Sequence, residues 1–236
     1  MPKGSIRLFR CYRRKNTREN RAISSSRLPA LCIRAAAFTG GSALLTFELA
    51  KTILPKHITE EHLFKHSLAV SAAMRTMARH YGQNEDHWAA IGYLHDIDFE
   101  KYPDEHCHHV RQLLEGEDVS EEDIRAIISH GWGLTIDVKP ESDMEKSLFT
   151  VDELTGIVMA TSLMRPNGIL DLEVKSVKKK FKDRHFAAGC DRDVIVKGCE
   201  LLGMDLADVM ALTIEGMRAY AQELSLEGTS GGSHDE

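Results

Sequence analysis

The chain has 236 residues, 42% hydrophobic and 28% charged, with a formal net charge of -6. That length can bury a sizeable core in one domain, and no run of about 18 or more apolar residues is present to span a membrane, so a membrane is not an expected partner. From Met1 to Thr46 ten Lys or Arg face one acid, Glu19. The remainder is therefore clearly acidic, which argues against nucleic acid as partner of the folded part.

Residues 1–43 are Arg-rich, contain serines, lack a hydrophobic period and end in Thr39-Gly40-Gly41-Ser42. Such composition buries no core, and a disordered basic extension is expected: a transit-like leader, an RNA-binding arm or an upstream start. The five cysteines, Cys11, Cys32, Cys107, Cys190 and Cys199, are odd in number, irregularly spaced and without a CxxC pair. They read as reduced thiols of a cytoplasmic protein, with organelle import the alternative that the basic leader leaves open.

The folded part is expected over residues 44–226. A short helix from Leu44 to Leu54 closes at Pro55, and Thr59 opens the next. There Leu63, His66, Val70, Ala73 and Met77 share one face, which puts His66 in an apolar stripe. Gly82 ends that helix. Asn84 caps the following one, which runs through Trp88, Ile91 and Leu94 into the doublet His95-Asp96. A buried charge needs a partner or a metal, and imidazole with carboxylate suits Zn, Fe or Mn.

Beyond the Tyr102-Pro103 turn, Asp104 is read as the cap of a helix through Leu114, with His106 its inward histidine and Cys107, which could be a ligand, read as packing. Ser120-Glu121-Glu122-Asp123 starts a helix that stops at His130-Gly131-Trp132-Gly133, where glycines let an imidazole be aimed. A long apolar helix from Met144 to Ala160 places Asp152 in its buried middle, which is costly without compensation. Glu153 is expected outward or behind the site. The basic run from Val174 to Arg184 reads as a solvated face or a phosphate-recruiting patch. Helices at about Asp191–Leu202 and Asp205–Leu224 complete an all-α, single-domain bundle. The Gly/Ser tail, residues 227–236, is expected to be disordered, so His234 is no ligand.

His66, then Leu94-His95-Asp96, then a distant Val151-Asp152-Glu153-Leu154, resembles the HD superfamily of metal-dependent phosphohydrolases over about Phe47 to Leu226. The closest likeness is to small single-domain bacterial members, which share Asp98-Phe99-Glu100 and a helix like Asp152 to Gly156. The resemblance implies a helical fold in which His66, His95, Asp96 and Asp152 bind one divalent ion. In two-ion members Asp96 bridges, and His106 and His130 hold the second. The ion would be Fe, Mn, Zn, Co, Ni or Mg. Expected from this is hydrolysis of a phosphate ester or anhydride of a small molecule, a nucleotide being one option, by a metal-activated water. Asp98 is then a candidate acid or base, and Arg165, Lys178, Lys179 and Lys180 are candidate phosphate contacts. His130-Gly131-Trp132-Gly133 departs from the His-Thr-x-Gly of the diadenosine tetraphosphate hydrolases, so no substrate transfers. A non-catalytic regulatory module, stapled by metal and binding a nucleotide or partner, is the alternative.

Overall fold

The computed structural model describes residues 44–229, and among these every regular element is a helix. The basic extension 1–43 and His234 lie outside the described residues. In chain order the helices are α1 (Phe47–Ile53), α2 (Glu61–His80), α3 (Glu85–Leu94), α4 (Val110–Leu113), α5 (Glu121–Ser129), α6 (Asp143–Ser162), α7 (Val174–Lys182), α8 (Arg192–Leu202) and α9 (Leu206–Arg218). The all-α bundle read from the sequence is the fold. Among the described residues no helix is long and apolar enough to cross a membrane.

Two long helices organise it. α2 packs on α3, α6 and α9, and α6 packs on α5, α7, α8 and α9. Their shared core holds Met74, Met77, Ile91, Leu94, Leu148, Val151, Leu154 and Ile157, all sealed from solvent. Glycine permits the tightest crossings. At Gly92 of α3 a Cβ would lie 2.9 Å from Met74 Cγ, and at Gly216 of α9 it would strike the Ala72 carbonyl. Any side chain there would push α2 away from its neighbours.

Starts and stops mostly follow local chemistry. Asn84 accepts from the Asp86 and His87 amides, Ser120 from Asp123, and Ser142 with Glu145 closes a reciprocal cap on α6. Three expectations need correction. The first concerns the start of α2, where Thr59 is not the cap. The Glu100 carboxylate reaches back from 40 residues away and accepts from the Thr59 and Glu60 amides at 2.7 and 3.1 Å and from Thr59 Oγ1 at 2.7 Å.

The second correction is that no helix runs from Asp104 to Leu114. Pro103–Glu105 makes one 3-10 turn, His106 is extended (φ -54°, ψ 141°), Cys107 is left-handed (φ 70°), and only Val110–Leu113 is helical. Burial of His106 and its bond to Asp98 override the local helix signal. Finally, α9 ends at Arg218 rather than Leu224. Arg218 donates to the Ile169 and Leu172 carbonyls, and the chain turns so that Leu226 O accepts from Ile169 N at 2.7 Å.

Candidate metal centre

His66 lies one turn and a half into α2, on the face turned to α6, and Asp152 lies at the middle of α6. Their side chains meet, with His66 Nε2 3.0 Å from Asp152 Oδ1. His95 and Asp96 leave the end of α3 directly between them. His95 Nε2 is 3.1 Å from His66 Nε2 and 3.3 Å from Asp152 Oδ1, and Asp96 Oδ2 is 3.5 and 3.3 Å from the His66 and His95 nitrogens.

The other oxygen of Asp96 faces a second group. Oδ1 is 3.2 Å from His106 Nε2 and 3.5 Å from His130 Nε2, and those two nitrogens are 2.9 Å apart. Asp96 thus stands between two sets of inward-pointing donors, one oxygen to each.

These spacings suit cations. Ligands at about 2.0–2.2 Å from an ion stand about 3.0–3.6 Å from one another in octahedral or tetrahedral arrangements. Orientation points the same way. His95 Nδ1 donates to Gly92 O at 2.8 Å, His130 Nδ1 to Ile127 O, and His106 Nδ1 to Asp98 Oδ1 at 2.7 Å. With the outer nitrogen of each ring so engaged, the Nε2 lone pair is left to face the cluster. Two opposed lone pairs repel unless a proton or a cation lies between them.

The metal-free cluster uses protons. Burial disfavours a charged His95, yet the Asp96 and Asp152 carboxylates outweigh it and hold the imidazole up at about 9. His106 and His130 are likewise raised well above the ordinary histidine value against burial, and Asp96 and Asp152 are held low by the imidazoles. Glu153 behaves oppositely. Burial and the Asp152 charge push it up to about 8, and its Oε2 accepts from the Asp191 amide at 2.8 Å, tying α8 to the helix that carries Asp152.

Asp98 is fully buried, with both oxygens spent: Oδ1 accepts from His106 Nδ1 and Oδ2 from the His109 amide at 3.1 Å. It stands behind His106, the place of a carboxylate that orients a ring rather than one that meets a substrate. Arg165 is engaged with Asp171 at 2.8 Å and Ser176 at 3.4 Å. Lys178 and Lys179 are on the exposed face of α7, and Lys180 lies over the Phe186 ring.

Sequence reasoning undervalued Cys107. Its buried sulfur is 3.8 Å from His130 Nε2 and 4.0 Å from Nδ1, and with His106 and His130 it makes a group that could hold a metal ion. Against burial, His130 and His106 bring the thiol down to about 6. The glycines after His130 act partly by size. A Cβ at Gly131 would lie 2.6 Å from Cys107 Sγ, and only Gly133 has positive φ (77°). The carbonyls of Gly92 and Ile127 carry no sequence signal at all.

The helices bring a His-Asp doublet, a histidine and a remote aspartate together in a cluster that could hold a metal ion. Residues 63–147 match the family model of the HD domain, and the helical fold and donor cluster are consistent with a domain of that type. The matched segment includes His66, His95, Asp96, His106 and His130 and stops five residues before Asp152. No curated protein and no solved structure matches the chain.

Proposed function

We propose that this protein hydrolyses a phosphate ester or anhydride of a small molecule, a nucleotide among the candidates, at an ion site formed by His66, His95, Asp96 and Asp152, with His106 and His130 holding a second ion. The observation that carries the reading is the division of Asp96: one carboxylate oxygen to each of two inward-facing donor sets. A divalent cation there supplies charge neutralisation at phosphoryl oxygens and a water more acidic than bulk.

The chain's own contribution is placement. His66 and Asp152 keep 28% and 20% side-chain exposure while His95 keeps none, so substrate approaches from the His66–Asp152 side. Asp96 orients what lies between the two sets, and Asp98 holds His106 in the tautomer with Nε2 free.

One feature favours a regulatory module instead. His106 and His130 are almost fully sealed, as ligands of a closed structural site are. The deciding experiment is elemental analysis of purified protein together with a screen of phosphomonoesters, dinucleoside polyphosphates and cyclic nucleotides against Mn, Fe, Co, Ni and Mg. Turnover with at least one pairing is expected. Bound metal with no turnover under any pairing would replace the enzyme with the module.

A further inference from the structure

The link between α6 and α7 carries an unusual amount of exposed apolar surface. Of the five large apolar side chains most exposed among the described residues, three lie within this link: Leu163 at 57%, Met164 at 62% and Leu170 at 52%. Looseness does not explain it. Ile169 and Leu172 of the same link are buried, Ile169 N donates to Leu226 O, and Arg218 of α9 donates to both their carbonyls at 3.1 and 2.7 Å. Gly168, with φ 56°, packs its α-carbon against the Leu226 carbonyl, where a Cβ would collide. The link is fastened from below while Leu163, Met164 and Leu170 point out.

Beside it stands the most basic element of the described chain. α7 has five lysines in nine residues, and Arg165 of the link reaches Ser176 on it at 3.4 Å. Val177 is buried and Val174 and Phe181 half-buried, so the lysines fall on the outward arc. Lys175 pairs with Glu173 and Lys180 covers Phe186, but Lys178, Lys179 and Lys182 have no acidic partner among the described residues. From Met164 to Arg184 seven basic residues face three acids, in a chain whose net charge is -6.

We propose that this surface docks on an anionic phospholipid bilayer. Leu163, Met164 and Leu170 enter the boundary between headgroups and acyl chains, while Lys178, Lys179 and Lys182 meet headgroup phosphates. Each half of the surface excludes another occupant. A nucleic acid would use the lysines and leave three aliphatic side chains in water. A second copy across a two-fold axis would bury those side chains while bringing like-charged lysines together. A surface contact needs no spanning helix. Leu163 is eleven residues beyond Asp152 on α6, about 16 Å along its axis, so the surface is separate from the ion site and independent of the hydrolysis reading.

The test is sedimentation of the full chain with vesicles of phosphatidylcholine alone and of phosphatidylcholine with phosphatidylglycerol in equal parts, at low and high salt. Binding to the mixed vesicles, weakening as salt rises and absent from phosphatidylcholine alone, is expected. K178E/K179E/K182E should bind roughly a hundredfold more weakly and L163S/M164S/L170S roughly tenfold or more, both melting at the wild-type temperature. No binding to mixed vesicles would overturn the proposal. So would binding that survives the serine variant and is matched by RNA, which marks a polyanion contact, or self-association abolished by the serine variant in place of vesicle binding.

Discussion

The two donor sets that meet at Asp96 are built differently. His66 and Asp152 come from the interiors of the two longest helices, α2 and α6, and remain partly open to solvent. His106 comes from an extended residue in an irregular segment, His130 from the last turn of α5, and both are sealed. A helix fixes a ligand by its own hydrogen-bond ladder. An irregular segment must be fixed by side chains, and here that work falls to Asp98, which holds both the His106 ring and the His109 amide. The open set is therefore rigid by backbone, whereas in the sealed set His106 depends on a buried carboxylate and His130 on the end of α5.

The harshest way to break this comparison is Asp96→Ala, which removes the oxygen serving each set. Metal content and turnover should both fall to background by elemental analysis and phosphate-release assay, with helical circular dichroism retained. Full metal occupancy in that variant would refute the assignment of the site. Next in size, Asp98→Asn should separate the sets, weakening metal binding on the His106–His130 side by roughly 10- to 100-fold and leaving the other side unchanged, as read by titration with Co. Equal weakening of both would mean that Asp98 supports the whole fold rather than one ring.

What was legible in the sequence follows the same division. His66 and Asp152 could be placed from the period of apolar residues because they sit on regular helices, and the doublet was visible because Leu94 ends a buried run. His106 was named, but on a helix that does not form, since its conformation is set by a contact with Asp98 that no local pattern encodes. The role of Glu100 was invisible for the same reason. It caps a helix whose first residue precedes it by 39 positions, and a cap supplied from so far away leaves no trace near the start it serves. The solvent face of α7 was evident from its charges, but the exposed link beside it became visible only once Ile169 and Leu172 were seen to take the inward positions.

A milder probe is pH. In the metal-free protein His95 is held up at about 9, against 6.5 for an ordinary histidine, so the folded state carries more protons than the unfolded one between those values. Its contribution to stability is complete below about pH 6.5 and is lost as pH rises through about 9. Metal binding must displace those protons, so metal affinity should rise over the same interval. Melting temperatures of metal-free and metal-loaded protein should therefore diverge as pH increases, and parallel curves in calorimetry would contradict the protonated cluster.

The smallest expected effect is that of Glu100→Gln, which keeps the shape of the α2 cap and removes its charge. A loss of about 0.5–1 kcal/mol, or about 1–4 °C in melting temperature, is expected, with metal content unaltered. A loss of metal from the His66 side would show that the start of α2 governs the open set more closely than its ladder suggests.

Asp96, Asp98 and Glu100 stand at alternate positions of one turning segment, and each is committed to a different part of the molecule: the junction of the donor sets, the ring of His106 and the head of α2. The segment works as a ruler with three marks. Inserting or deleting a single residue between Asp96 and Glu100 would misalign at least one mark whichever way the chain relaxed, so this stretch should reject changes of length.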